Sequence, residues 1–124
     1  MNIEEIIIKL KDEYPNKAIF SDTSNGSISV ICEVDPTFAH PEYSLAVCVI
    51  GKILPHYHNA SSESFTVIRG CLKLYFGNDL ITLNKGETQI ISPGVIHWAE
   101  GNEAWFECRS ESGWTPDDHI LVEK

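Results

Sequence analysis

The stretch that decides the fold is Gly51-Lys52-Ile53-Leu54-Pro55-His56-Tyr57-His58-Asn59-Ala60-Ser61-Ser62-Glu63, running on to Gly70. In an extended chain alternate side chains share a face, so His56 and His58 point the same way and can address one metal ion from a single strand. Glu63 follows beyond a polar stretch that can bend the chain back and bring a carboxylate to the same point. A second block, Gly86 to His97, contains Ser92-Pro93-Gly94-Val95-Ile96-His97. There Pro93-Gly94 suits a tight turn that aims His97 from a neighbouring strand. Three neutral imidazoles and one carboxylate suit one first-row dication, with manganese, iron or nickel favoured and zinc or cobalt also compatible. Such a ligand set leaves about two positions of an octahedral shell for a substrate or dioxygen.

Working outward, the chain is β-rich on both sides of these blocks. Asn25-Gly26 is a strong turn signal before the strand-like Ile28 to Val34, and Tyr43 to Ile50 is nearly continuous in apolar residues, as in a strand buried on both faces. Further strands are expected at Phe65 to Arg69, Cys71 to Phe76, Leu80 to Leu83, Thr88 to Ser92, His97 to Ala99 and Glu103 to Ser110, with Glu100-Gly101-Asn102 as a turn. Residues 2 to 13 differ: Ile3, Ile6, Ile7 and Leu10 fall at helical spacing, and Pro15 ends the pattern. This helix is expected to lie against the outside of the main domain. We therefore divide the chain into a helix and lead-in at 1–20 and a barrel at 21–124. For the tail from Trp114 to Lys124, an added edge strand and a reach to a partner subunit both stay open.

The two blocks resemble the motifs of the cupin superfamily, G-x5-H-x-H-x3,4-E-x6-G and G-x5-P-x-G-x2-H-x3-N. The first reads Gly51-x4-His56-x-His58-x4-Glu63-x6-Gly70, one residue short before His56. The second reads Gly86-x7-Gly94-x2-His97, with the proline displaced by one to Pro93 and Gly101 where the family often has asparagine. Neither departure touches a ligand, and the resemblance spans residues 27 to 110. It implies an all-β fold: a single jelly-roll (double-stranded β-helix) barrel, often dimeric, with the metal on His56, His58, Glu63 and His97 and the core motifs at 51–70 and 86–101. Thiol dioxygenases of the superfamily usually lack the glutamate, and two-barrel oxalate decarboxylases do not match a one-barrel chain.

Composition narrows the partners. The 124 residues carry 9 basic and 18 acidic side chains, a formal charge of −9, with 43% apolar residues. One domain is expected, and the absence of a Lys/Arg cluster argues against nucleic acid and anionic membranes as partners. No apolar run is long enough to span a bilayer, and Met1-Asn2-Ile3-Glu4-Glu5 is acidic where a signal peptide would be basic, so a cytoplasmic location is expected. Cys32, Cys48, Cys71 and Cys108 are scattered, with no C-x-x-C pair, and read as reduced, mostly buried thiols.

Alternation predicts the barrel interior. Phe65, Val67, Leu72, Leu74, Phe76, Ala99, Phe106 and Cys108 should face inward, and Lys73, Tyr75, Trp105, Glu107 and Arg109 outward. No second acid–base group is evident beside the metal; Tyr43, Glu33, Cys48 and Cys108 are weak candidates. His40 and His119 read as loop or surface residues, Asp117-Asp118 as a solvated pair, and Trp98, Trp105 and Trp114 as core or interface packing. The expected partner is a small molecule, with a homodimer as the assembly. Function is expected to be metal-centred, that of an oxygenase-like oxidoreductase on a chelating organic acid or enol. The alternatives are a non-catalytic ligand-binding or sensing module, and a sugar-phosphate isomerase whose phosphate clamp Lys52, Arg69 and Lys73 do not clearly form.

Overall fold

Two long strands carry the architecture. The computed structural model describes residues 1–122 and places, in chain order, the helix α1 (Ile3–Glu13) and the strands β1 (Ala18–Asp22), β2 (Ile28–Asp35), β3 (Ser44–Tyr57), β4 (Ser62–Arg69), β5 (Cys71–Phe76), β6 (Asp79–Asn84), β7 (Thr88–Ile91), β8 (His97–Glu111) and β9 (Ile120–Leu121). β3 and β8 run antiparallel side by side, from Ser44 opposite Ser110 at one end to His56 opposite His97 at the other. The free edge of β8 is shared. Its first part pairs with β5 (His97 opposite Phe76) and its second with β4 (Glu111 opposite Ser62). With β2 and β1 added beyond β3, and β7 beyond β4, the result is the expected all-β jelly-roll with one short helix.

The glycines inside the two long strands bend them rather than end them. Glu100-Gly101-Asn102, expected as a turn, lies within the continuous strand β8. Between Ile50 opposite Ala104 and Lys52 opposite Glu100 the register slips, and Glu103 takes a positive φ of 54°. This is a bulge, where extra residues on one strand re-aim it without breaking the pairing. Gly101 is required there, because a Cβ would lie 2.6 Å from Ala104 Cβ. On β3 the expected strand likewise continues through Gly51 to Tyr57, which is how the histidines are carried to the end of the barrel.

Alternation along β3 explains its apolar run. Cys48 and Ile50 pack inside the barrel with Phe65, Val67, Leu72, Leu74, Ala99 and Phe106. Val47 and Val49 face the other way, into a second layer with Val30, Cys32, Trp105 and the helix residues Ile6 and Leu10. Trp105 does point out of the barrel, as its parity requires, yet it is only 2% exposed because α1 covers that face. The helix starts at Asn2, whose side chain accepts from the Glu5 N–H, and its apolar stripe follows the 3.6-residue period. Arg69 closes the edge of this layer, paired with Glu13 and lying over the Trp105 ring at 4.4 Å.

β1 begins in the stretch read from the sequence as lead-in and runs across its boundary into the barrel. The tail contributes β9, a two-residue strand that pairs with Tyr57 and His56 of β3; Glu123 and Lys124 lie outside the described residues. No helix among the described residues is long and apolar enough to cross a membrane.

The outer layer should contribute measurably to stability. Leu10→Ala, at a fully buried position, is expected to cost about 2–4 kcal/mol in denaturant unfolding. Ile8→Ala on the same helix, 67% exposed, should stay within about 0.5 kcal/mol of the parent.

Candidate metal centre

The register of β3 against β8 places the two histidine blocks together. His56 and His97 are opposite one another in the ladder, and Glu63, near the start of β4, is opposite Ser110 of β8. Alternation adds His58 on the face of His56. The four side chains predicted from the sequence thus come to one end of the barrel, with one ligand atom from each lying within 4.8 Å of all the others. All four are buried, none more than 5% exposed.

Backbone carbonyls orient the three rings in the same way. His56 Nδ1 lies 2.8 Å from Leu54 O, His58 Nδ1 2.7 Å from Asp118 O, and His97 Nδ1 2.9 Å from Val95 O. A carbonyl only accepts, so each Nδ1 carries the hydrogen and each neutral ring turns the lone pair of Nε2 toward the centre. Glu63 Oε1 lies there, 2.9 Å from both His58 Nε2 and His97 Nε2. The His97 contact has hydrogen-bond geometry; the His58 contact does not, and His58 Nε2 is a buried nitrogen without a hydrogen-bond partner. Lone pairs facing a carboxylate repel one another unless a positive charge lies between them. The donor set therefore fits a metal cation, with proton uptake as the substitute in its absence.

The electrostatics point the same way. Burial alone would raise the Glu63 carboxyl, but the imidazoles of His58 and His97 outweigh it and hold Glu63 well below the usual carboxylate range. Burial would lower His58, and the adjacent Glu63 overrides it, raising the ring above its ordinary value. His56 goes the other way: burial, then His97 and His119, lower it to about 3. The other oxygen of Glu63 accepts from Cys108 Sγ at 3.2 Å and Ser110 Oγ at 3.4 Å. Burial, then Glu63, keeps the Cys108 thiol protonated, so it acts as a donor to the ligand and not as a nucleophile.

Two residues read from the sequence as incidental belong to this site. The His119 ring stacks on His56, centroids 4.2 Å apart and planes 12° off parallel, and its Nδ1 accepts from Trp114 Nε1 at 3.2 Å. Nε2 of a neutral His119 therefore holds the hydrogen. Asp118 is not a free solvated carboxylate: it accepts from the amides of Asn59, Ala60 and Ser61, and its carbonyl holds His58.

Of the acid–base candidates read from the sequence, Cys108 is at the site as a donor to Glu63, and the others are committed elsewhere. Tyr43 stacks with His40 and lies under Arg109, His40 reaches Asp35, Cys48 is in the barrel core, and Glu33 is opposite Ala46 at the far end of β3. Lys52 lies by the Trp98 ring on the outer face, and Lys73 lines a groove of about 390 Å³ there with Gly51, Cys71, Glu100, Gly101 and Asn102. None of these groove residues is one of the four.

No protein-family model matches this chain, and no curated protein matches its sequence. Solved structures do. A variant of Streptomyces PAC13 with uridine matches with a TM-score of 0.76 at 10% identity, over 89% of this chain and 88% of that one. Pac13 is described as a β-barrel nucleoside dehydratase. KdgF from Halomonas sp. matches with a TM-score of 0.66 at 16% identity, over 86% of this chain and 94% of that one. A variant of Bacillus subtilis oxalate decarboxylase matches with a TM-score of 0.75 at 12% identity, over 88% of this chain but 31% of that one. At these identities the likeness is one of fold, and the fold is that of the cupins.

Without metal, the depressed His56 pKa makes stability depend on pH. The unfolded chain takes up a proton at His56 near the ordinary value of 6.5, whereas the folded chain resists until about 3. The unfolded state binds more protons between those values, so this contribution to stability is present above pH 6.5 and is lost as pH falls toward 3. Denaturant midpoints of metal-free protein should fall across that window, and His56→Gln should flatten the fall.

Proposed function

We propose that this protein is a metal-dependent enzyme in which His56, His58, Glu63 and His97 hold one divalent transition metal, manganese, iron or nickel ahead of zinc or cobalt. Its substrate in this reading is a small organic acid or enol that chelates the ion. The observation that supports it best is the convergence of three Nε2 lone pairs and a carboxylate, with buried His58 Nε2 left partnerless. When bound, the metal would supply Lewis acidity and, if redox-active, a path for electrons to oxygen.

The chain's own residues do the rest. Nδ1 hydrogen bonds hold the ligands in one tautomer, and Cys108 and Ser110 steady Glu63. Phe65 and Phe106 pack against each other inside the barrel, and the Phe65 ring also contacts His97. This apolar packing excludes water on the barrel side and suits an oxygenase-like reaction on an enol. His119 favours a second reading. A neutral imidazole with its hydrogen at Nε2 beside the ligands can donate a hydrogen bond to a substrate oxygen and polarise it, as suits a dehydration or isomerisation without redox change. A phosphate-bearing substrate has less support, because Arg69 is engaged by Glu13 and Trp105, and Lys52 and Lys73 lie on the outer face.

Elemental mass spectrometry of untagged protein tests the first claim. Near-stoichiometric metal that disappears in His58→Ala is expected; metal-free wild type after reconstitution with each candidate ion would sink the reading. The chemistry is then divided by oxygen uptake in a screen of enolic and hydroxy acids. Uptake supports the oxygenase reading, turnover without uptake the non-redox one, and stoichiometric binding without turnover a sensing role. In the non-redox case His119→Gln should lower kcat on the order of a hundredfold with the metal retained.

A further inference from the structure

Asp118 is not among the four ligands, yet both its main chain and its side chain hold the segment that carries them. Its main-chain carbonyl accepts from His58 Nδ1 at 2.7 Å. Its carboxylate accepts from the amide of Asn59 at 2.7 Å, of Ala60 at 3.1 Å and of Ser61 at 3.2 Å. These three amides form the loop between β3 and β4, the stretch that connects His58 to Glu63. Successive amides converging on one carboxylate fix a loop in a single curvature.

The residues around Asp118 are tied to the same place. His119 stacks on His56, β9 pairs with His56 and Tyr57, and the Val122 N–H donates to Pro55 O at 3.1 Å. Ser61 Oγ donates to Ser112 O at 2.7 Å, which binds the loop to the start of the tail. The alternative is that Asp118 merely anchors the tail as an edge strand. Geometry favours more than anchoring: the hydrogen bond to His58 decides which nitrogen of that ring is free, and the amide contacts decide how far Glu63 lies from it.

We propose that Asp118 is a positioning residue of the metal centre: its carboxylate, by holding the amides of Asn59, Ala60 and Ser61, sets the His58–Glu63 separation and keeps its own main-chain carbonyl in place on His58. The proposal rests on the metal reading above. It also makes metal affinity and docking of the segment Trp114–Val122 reciprocal, since whatever stabilises one arrangement stabilises the other by the same factor. Outer contacts of this kind change metal affinity by about 10–100-fold when removed.

The test compares the full chain with Asp118→Ala, Asp118→Asn and Asp117→Ala. Affinity for cobalt(II) is read by competition with a chromophoric chelator, the cobalt d–d spectrum reports ligand geometry, and thermal unfolding of each metal-free protein reports folding. Asp118→Ala is expected to bind about 10–100-fold more weakly with an altered spectrum. Asp118→Asn, which keeps one acceptor oxygen, should lie between it and wild type, and Asp117→Ala should match wild type. Amide exchange at Asn59, Ala60 and Ser61 should slow on metal addition in the wild type and not in Asp118→Ala. Wild-type affinity and spectrum in both Asp118 variants would overturn the proposal while leaving the metal reading intact. So would a loss that vanishes once affinity is referred to the folded fraction. Failure of the wild type itself to bind cobalt would remove the metal reading and this proposal together.

Discussion

The pairing of β3 with β8 in one register is the constraint on which the rest depends. A slip of one residue would turn every side chain of one strand to the opposite face. In the observed register His56 meets His97 at the barrel end, while Cys48, Ile50 and Phe106 fall inside and Val47, Val49 and Trp105 outside. The bulge in β8 at Gly101–Glu103 shifts the alternation, so that His97 and Ala99 face inward as Ala104 and Phe106 do. Burial on both faces of β3 fixes the register, so the position of the candidate metal centre is secured by hydrophobic packing some distance from it.

Burial and the mutual attraction of the imidazoles and the carboxylate pull the centre in opposite directions. Desolvation penalises every charge gathered there, whereas Glu63 and His58 each favour the charged form of the other. The arrangement persists because main-chain carbonyls leave each ring one tautomer and the strands leave it one direction. A site preorganised in this way needs little rearrangement when a cation arrives. In the same way, Cys108 is useful here through its inertness: a protonated thiol directs Glu63 without competing for it.

Much of this was legible in the sequence because the decisive relations are local. The spacing of His56 and His58 is a period-two relation inside one strand, and Ile6 and Leu10 stand in a helical one. The mispredicted positions share a different cause. Glu100-Gly101-Asn102 carries residues that serve equally in a turn and in a bulge, and only pairing with β3, β4 and β5 decides between them. Trp105 was read both as outward-facing and as core or interface packing, and both hold because α1 packs over it. Asp118 and His119 read as ordinary surface residues because their partners lie far away in sequence, 60 residues in the case of His58 and Asp118. Nothing in the immediate neighbourhood of either residue signals such a contact.

That long separation has a consequence for how the molecule is made. Synthesis proceeds from the N-terminus, so the histidine pair and Glu63 leave the ribosome well before His97, and His97 before Asp118. A nascent chain exposing only His56, His58 and Glu63 presents an incomplete and pliable chelator, open to whichever ion meets it first. The ring of His58 acquires its fixed tautomer only after the tail has folded back along β3. The fixed geometry of His58 is thus a property of the finished chain, completed only when the tail is in place.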